Sequence, residues 1–64
     1  MDIELMKPTE VADYLQISRA LTYTLLRQGQ IPSVRIGKTV RVKKADLEQF
    51  VLDNMKNAQK SPQD

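Results

Sequence analysis

The sequence contains neither cysteine nor histidine. That excludes disulfides, thiolate and imidazole metal sites, and the usual pairing of a nucleophile with a histidine base. A cysteine-free chain also fits a reducing cytoplasm. Glycine occurs only twice, and neither copy lies in a G-x-G-x-x-G or Walker pattern, so no phosphate cradle for a nucleotide is present. No apolar run approaches the roughly 20 residues that cross a bilayer. The opening MDIELMK is acidic and has no signal-peptide core. Tryptophan is absent and the aromatics are two tyrosines and one phenylalanine, so a core has to be built from aliphatics. At 64 residues the chain supports one small domain with a thin core, expected over residues 1–56, and has little room to enclose a pocket. These absences argue against an enzyme, and for no cofactor and no metal.

One further absence is informative. Between Tyr14 and Ala45 there is no carboxylate, and seven basic residues fall there: Arg19, Arg27, Arg35, Lys38, Arg41, Lys43 and Lys44. The ends are the reverse. Residues 1–13 carry four carboxylates against one lysine, and residues 46–64 four against two lysines. A net charge of +2 is therefore distributed as a basic centre between acidic ends. That pattern predicts one positive face directed at a polyanion.

Residues 1–6 read as extended or frayed, with Ile3, Leu5 and Met6 available to the core. A first helix is expected over Pro8–Gln16, because proline suits the first helical position. Its cap is open between Lys7, which the following proline pushes towards extended geometry, and Thr9, which has the better side chain. Val11, Ala12 and Leu15 make its apolar stripe, with Glu10 and Asp13 on the wet side. Gln16 and Ile17 connect to Ser18, an N-cap for a second helix over Arg19–Gln28 that Gly29 stops. Two helices separated by two or three residues form a helix-turn-helix. Leu21, Leu25 and Leu26 are expected to be buried, with Thr22 at the boundary. The opposite face carries Arg19, Tyr23 and Arg27, flanked by Ala20, Thr24 and Gln28. Lacking carboxylates, it forms no internal ion pairs, and its side chains suit phosphate oxygens and base edges.

Next, Gly37-Lys38 is a two-residue turn of type II′ between Val34–Ile36 and the strand containing Val40 and Val42. Alternation is expected to send the four aliphatics to one face and Arg35, Thr39 and Arg41 to the other, with Lys38 at the tip. Such a hairpin must rest its apolar face on the helices. A third helix is expected from Lys44 or Ala45 to residues 54–57, packed through Leu47, Phe50 and Val51 and extended by Met55, with Leu52 outside the stripe. Residues 57–64 (NAQKSPQD) have no apolar period and are expected to be disordered.

As a set, the segments Pro8-x-Glu-Val-Ala, Leu15-x-Ile-Ser-Arg, Tyr23-x-Leu-Leu-x-x-Gly-x-Ile-Pro, Val34-x-Ile-Gly-x-x-x-Arg-Val and Asp46-Leu-x-x-Phe resemble the excisionase-type winged-helix family, related to the DNA-binding part of the MerR regulators. The resemblance covers about Met6 to Val51. It implies a small α+β winged helix-turn-helix whose second helix enters the major groove of double-stranded DNA. Ser18, Arg19, Ala20, Tyr23, Thr24 and Arg27 then form the recognition helix's contact set. Arg35, Lys38, Thr39 and Arg41 form that of the wing, and Lys43 and Lys44 are candidates for further backbone contacts. The resemblance further implies a cytoplasmic, nucleoid-associated accessory protein that bends attachment-site DNA, cooperates with further copies of itself, and directs a tyrosine integrase towards excision of a phage or integrative element. A small promoter-binding regulator is the alternative within this class. A protein-interaction or inhibitor module, using Leu52, Met55 and the tail, is the alternative outside it.

Overall fold

The computed structural model describes residues 2–60, and the side chains as far as Met55. The element order is β1 (Leu5–Met6), α1 (Pro8–Leu15), α2 (Arg19–Arg27), β2 (Val34–Ile36), β3 (Thr39–Lys43) and α3 (Lys44–Lys60). The strands form one antiparallel sheet in the order β1-β3-β2. This is the expected small α+β winged helix-turn-helix.

Each helix start has a local cause. Pro8 opens α1, and Lys7 before it is extended (φ −74°, ψ 154°), which resolves the choice of cap in favour of Lys7. Lys7 has no side-chain oxygen to offer. Instead its backbone N–H donates to the Glu10 carboxylate at 2.8 Å, the half of a capping box that a lysine can take part in. Ser18 caps α2 as expected, its Oγ accepting from Leu21 N–H at 3.0 Å.

Both helices of the turn end on a left-handed residue. Gly29 (φ 77°) closes α2, with its N–H donating to the Leu26 carbonyl and the Gln30 N–H to that of Leu25. This is the Schellman pattern. The same pattern closes α1, where Gln16 N–H donates to Asp13 and Ile17 N–H to Ala12. Gln16 adopts φ 59°, the single positive φ of a non-glycine residue among those described. A side chain there costs of order 1 kcal/mol, of which glycine returns part as chain entropy. Replacing Gln16 by Gly should therefore stabilise the domain by about 0.5 kcal/mol, visible as a rise of ~2–4 °C in the thermal midpoint by circular dichroism.

The core takes a residue from most elements: Val11 from α1, Ile31 from the α2–β2 connection, Val42 from β3 and Leu47 from α3, all at most 1 % exposed. Met6, Leu15, Leu25, Leu26 and Phe50 pack around them. Thr22 is also fully buried, while Leu21 is 45 % exposed. The expected burial of these two is thus reversed. A threonine can occupy the inward position because its Oγ1 donates to the Ser18 carbonyl at 3.0 Å, leaving no polar atom unsatisfied. Leu21 turns instead towards α3, lining a shallow apolar groove with Ile17, Leu25 and Phe50.

The N-terminal segment is extended as expected, and Leu5–Met6 joins the sheet: Leu5 pairs with Lys43 and Met6 with Val42, and Lys44 N–H donates to the Glu4 carbonyl at 2.9 Å. The expectations for α3 are corrected. Packing of α3 ends near Val51, since Met55 is 57 % exposed, whereas Leu52 is exposed as expected. The backbone of α3 continues to Lys60, past the expected stop at 54–57, because no glycine or proline interrupts it. Of the segment expected to be disordered, residues 57–60 are therefore helical in backbone, and residues 61–64 lie outside the described residues.

The hairpin is corrected in its faces. Its two-residue loop is as expected: Gly37 has φ 62° and Lys38 is not left-handed, which matches a type II′ turn. That loop pairs Ile36 with Thr39, Arg35 with Val40 and Val34 with Arg41. Directly paired residues share a face. Val34, Ile36, Thr39 and Arg41 thus lie together on the outer face, and Arg35, Val40 and Val42 on the inner one. The four aliphatics do not share a side, and Arg35 is separated from Thr39 and Arg41.

Candidate nucleic-acid interface

The exposed side of α2 is set by the burial of Thr22 and the packing of Leu25 and Leu26. Arg19, Ala20, Tyr23 and Arg27 are left in solvent, with Thr24 half-buried at the margin. Two of the hydroxyls on this stretch are already engaged. Ser18 Oγ caps the helix. Thr24 Oγ1 donates to the Ala20 carbonyl at 3.0 Å and accepts from Arg27 Nη2 at 3.5 Å. Arg19, Tyr23 and Arg27 are consequently the long polar side chains of α2 with donors to spare, and Ala20 keeps the surface low between them.

The hairpin's basic residues are divided. Arg35 lies on the inner face, and with Ser33 and Val40 it forms one wall of a cleft of about 200 Å³ whose other wall is Tyr23, Leu26 and Arg27. Lys38 projects from the turn, and Thr39 is exposed beside it. Arg41 sits on the outer face, half-buried, its Nη1 donating to the Val40 carbonyl at 2.8 Å. Lys43 and Lys44 are at the base of the sheet, where Lys43 meets Asp46 at 4.0 Å and Lys44 meets Glu4 at 3.8 Å. Those two pairs are the ion pairs among the described residues, and both are solvent-exposed contacts of little energetic weight. They nevertheless place a carboxylate beside each lysine.

The structure therefore brings Tyr23, Arg27 and Arg35 together, while Arg19 at the start of α2 and Lys38 in the turn are exposed but do not line the cleft. It holds Arg41, Lys43 and Lys44 apart. Ser33 joins the cleft without any expectation from the sequence, and Leu26 and Val40, expected only as packing residues, line it as well. Ser33 is two residues from Arg35 and so on the same side of an extended chain, a signal available only once the face of Arg35 is known.

A family model described as a helix-turn-helix domain matches residues 5–55, from β1 into α3. The chain belongs to the helix-turn-helix domain family. In this architecture the first helix supports the second, and the exposed side of the second is the part that lies in the major groove. The chain is also similar to the uncharacterised protein YvgK of Bacillus subtilis (strain 168), with 39 % identity over 41 residues. That match takes in 64 % of this chain and 13 % of YvgK, so the helix-turn-helix chain spans about an eighth of the relative's length. No solved structure matches significantly. Among the described residues of this helix-turn-helix domain, no helix is long and apolar enough to cross a membrane.

Proposed function

We propose that this helix-turn-helix protein binds double-stranded DNA, with α2 in the major groove and the β2–β3 wing against the adjacent backbone. Arg19, Tyr23 and Arg27 read or grip from the helix, and Arg35 and Lys38 from the wing. The observation that carries this reading is the carboxylate-free surface on which α2 and the inner face of the wing meet. Arg19, Arg27, Arg35 and Lys38 are exposed there and have no acidic partner among the described residues. The likeness of its sequence segments to excisionases extends the proposal. The protein bends attachment-site DNA in several adjacent copies and directs a tyrosine integrase towards excision. One module of this size buries roughly 600–1,000 Å² on DNA. Bending 20–30 bp costs of order 1–6 kcal/mol, which repeated copies can offset by adding their contacts.

The test is a duplex-binding titration at a series of salt concentrations, followed by phasing assays and an excision assay with the integrase. About four or five neutralised phosphates give an expected slope of log K against log salt near −4. Binding without bending, and without any effect on excision, would leave a promoter-binding regulator. Affinity that does not depend on salt would leave a protein-interaction module.

A further inference from the structure

The cleft between α2 and the wing, taken together with the DNA-binding reading on which this inference rests, has a more specific use. We propose that it is a single-phosphate clamp, in which Arg27 and Arg35 grip the same backbone phosphodiester from opposite walls.

Three observations and the chemistry of the lining lead there. The pairing of Arg35 with Val40 puts Arg35 on the inner face, where its exposed side chain lines the cleft with residues of α2. The cleft it enters is lined by Tyr23, Leu26, Arg27, Ser33 and Val40, a set with two guanidinium groups, two hydroxyls and no carboxylate. Two like charges lining one cleft repel one another, and an anion between them offsets that cost. A guanidinium is a planar fork that matches phosphate oxygens in pairs, and Ser33 and Tyr23 add donors of the uncharged kind. Finally, at about 200 Å³ the cleft has room for one phosphate group with its nearest waters.

The other basic residues between Tyr14 and Ala45 do not line this cleft. Arg41 is on the other face and bonded to a backbone carbonyl, and Lys43 and Lys44 stand beside carboxylates. The two arginines of the clamp come from different elements. Sharing one phosphate therefore fixes the wing's position relative to the recognition helix, and sets the register between major-groove and backbone contacts.

A double-mutant cycle on the full chain tests this, using Arg27→Gln, Arg35→Gln and the two combined. Duplex affinity is measured by fluorescence anisotropy over a range of KCl concentrations. Both residues are exposed, and circular dichroism confirms that each variant is folded. Each single change is expected to weaken binding about tenfold, as for a lost charge-assisted hydrogen bond. The double variant should be only slightly weaker than the singles, well short of a hundredfold. Its salt slope should fall by about 0.9, the share of one phosphate. Multiplying losses with a slope change near 1.8 mean two separate phosphates and overturn the clamp. Unchanged binding in the double variant overturns the clamp while leaving DNA binding in place. A wild-type chain with no duplex affinity removes the DNA-binding reading and the clamp with it.

Discussion

Changing Arg35 to Glu should weaken duplex binding by about a hundredfold or more, and the same change at Arg41 by less than about tenfold. The two residues look equivalent in sequence, each a lone arginine between aliphatics in one strand of the hairpin. The strand register makes them unequal. Arg35 is on the face turned towards α2, in the cleft with Tyr23 and Arg27. Arg41 is on the opposite face with Val34, half-buried, and already donates to the Val40 carbonyl at 2.8 Å. A glutamate at 35 removes a charge-assisted contact worth roughly 1.5–3 kcal/mol and puts a repelled carboxylate in its place. At 41 the carboxylate faces away from the proposed duplex, and salt near physiological strength screens charges beyond about 8 Å. Anisotropy titrations at that ionic strength, on variants with matched circular dichroism spectra, measure the difference. Equal losses at the two positions would mean that DNA approaches the tip or the outer face of the wing.

The contrast also shows where sequence reading succeeds. Pro8, Ser18, Gly29 and the Gly37-Lys38 turn act through their own backbone geometry, within a few residues, and the elements they delimit are found where expected. On α2 the exposure of Arg19, Ala20, Tyr23 and Arg27 is legible from its local period, although that of Leu21 is not. The faces of the hairpin are not legible from alternation along each strand alone. A two-residue loop joins Ile36 to Thr39, so that the parity of the aliphatics reverses between strands. The burial of Thr22 depends on a carbonyl one turn earlier accepting its hydroxyl, and on the tertiary rotation of α2, neither of which composition reports. A two-residue strand such as β1 has no period at all and exists because β3 offers an edge. The partners of Lys43 and Lys44 are likewise set by packing, through an acidic first turn of α3 and the nearby N-terminal segment.

The second large effect concerns the platform that holds helix and wing together. Replacing Leu47 by Ala should leave the domain substantially unfolded at 37 °C. Leu47 is fully buried and packs in one cluster with Val11, Ile31 and Val42, so it joins α3 to α1, to the α2–β2 connection and to β3. A Leu→Ala change at such a site costs about 2–5 kcal/mol. A domain of this size, with neither disulfide nor metal among its described residues, rarely has more than about 3–5 kcal/mol to lose. Leu52→Ala, on the exposed side of the same helix, should change stability by no more than about 0.5 kcal/mol and serves as the control. Thermal melts followed by circular dichroism read both. Because the duplex binds only the folded form, adding it at about 100 times its dissociation constant should return roughly 2.7 kcal/mol, and with it part of the lost transition. Leu47→Ala melting like the wild type would mean that α3 is not part of the core that orients the wing. A Leu47→Ala variant that melts low, with no recovery on adding DNA, would separate the stability of the fold from the binding proposed for it.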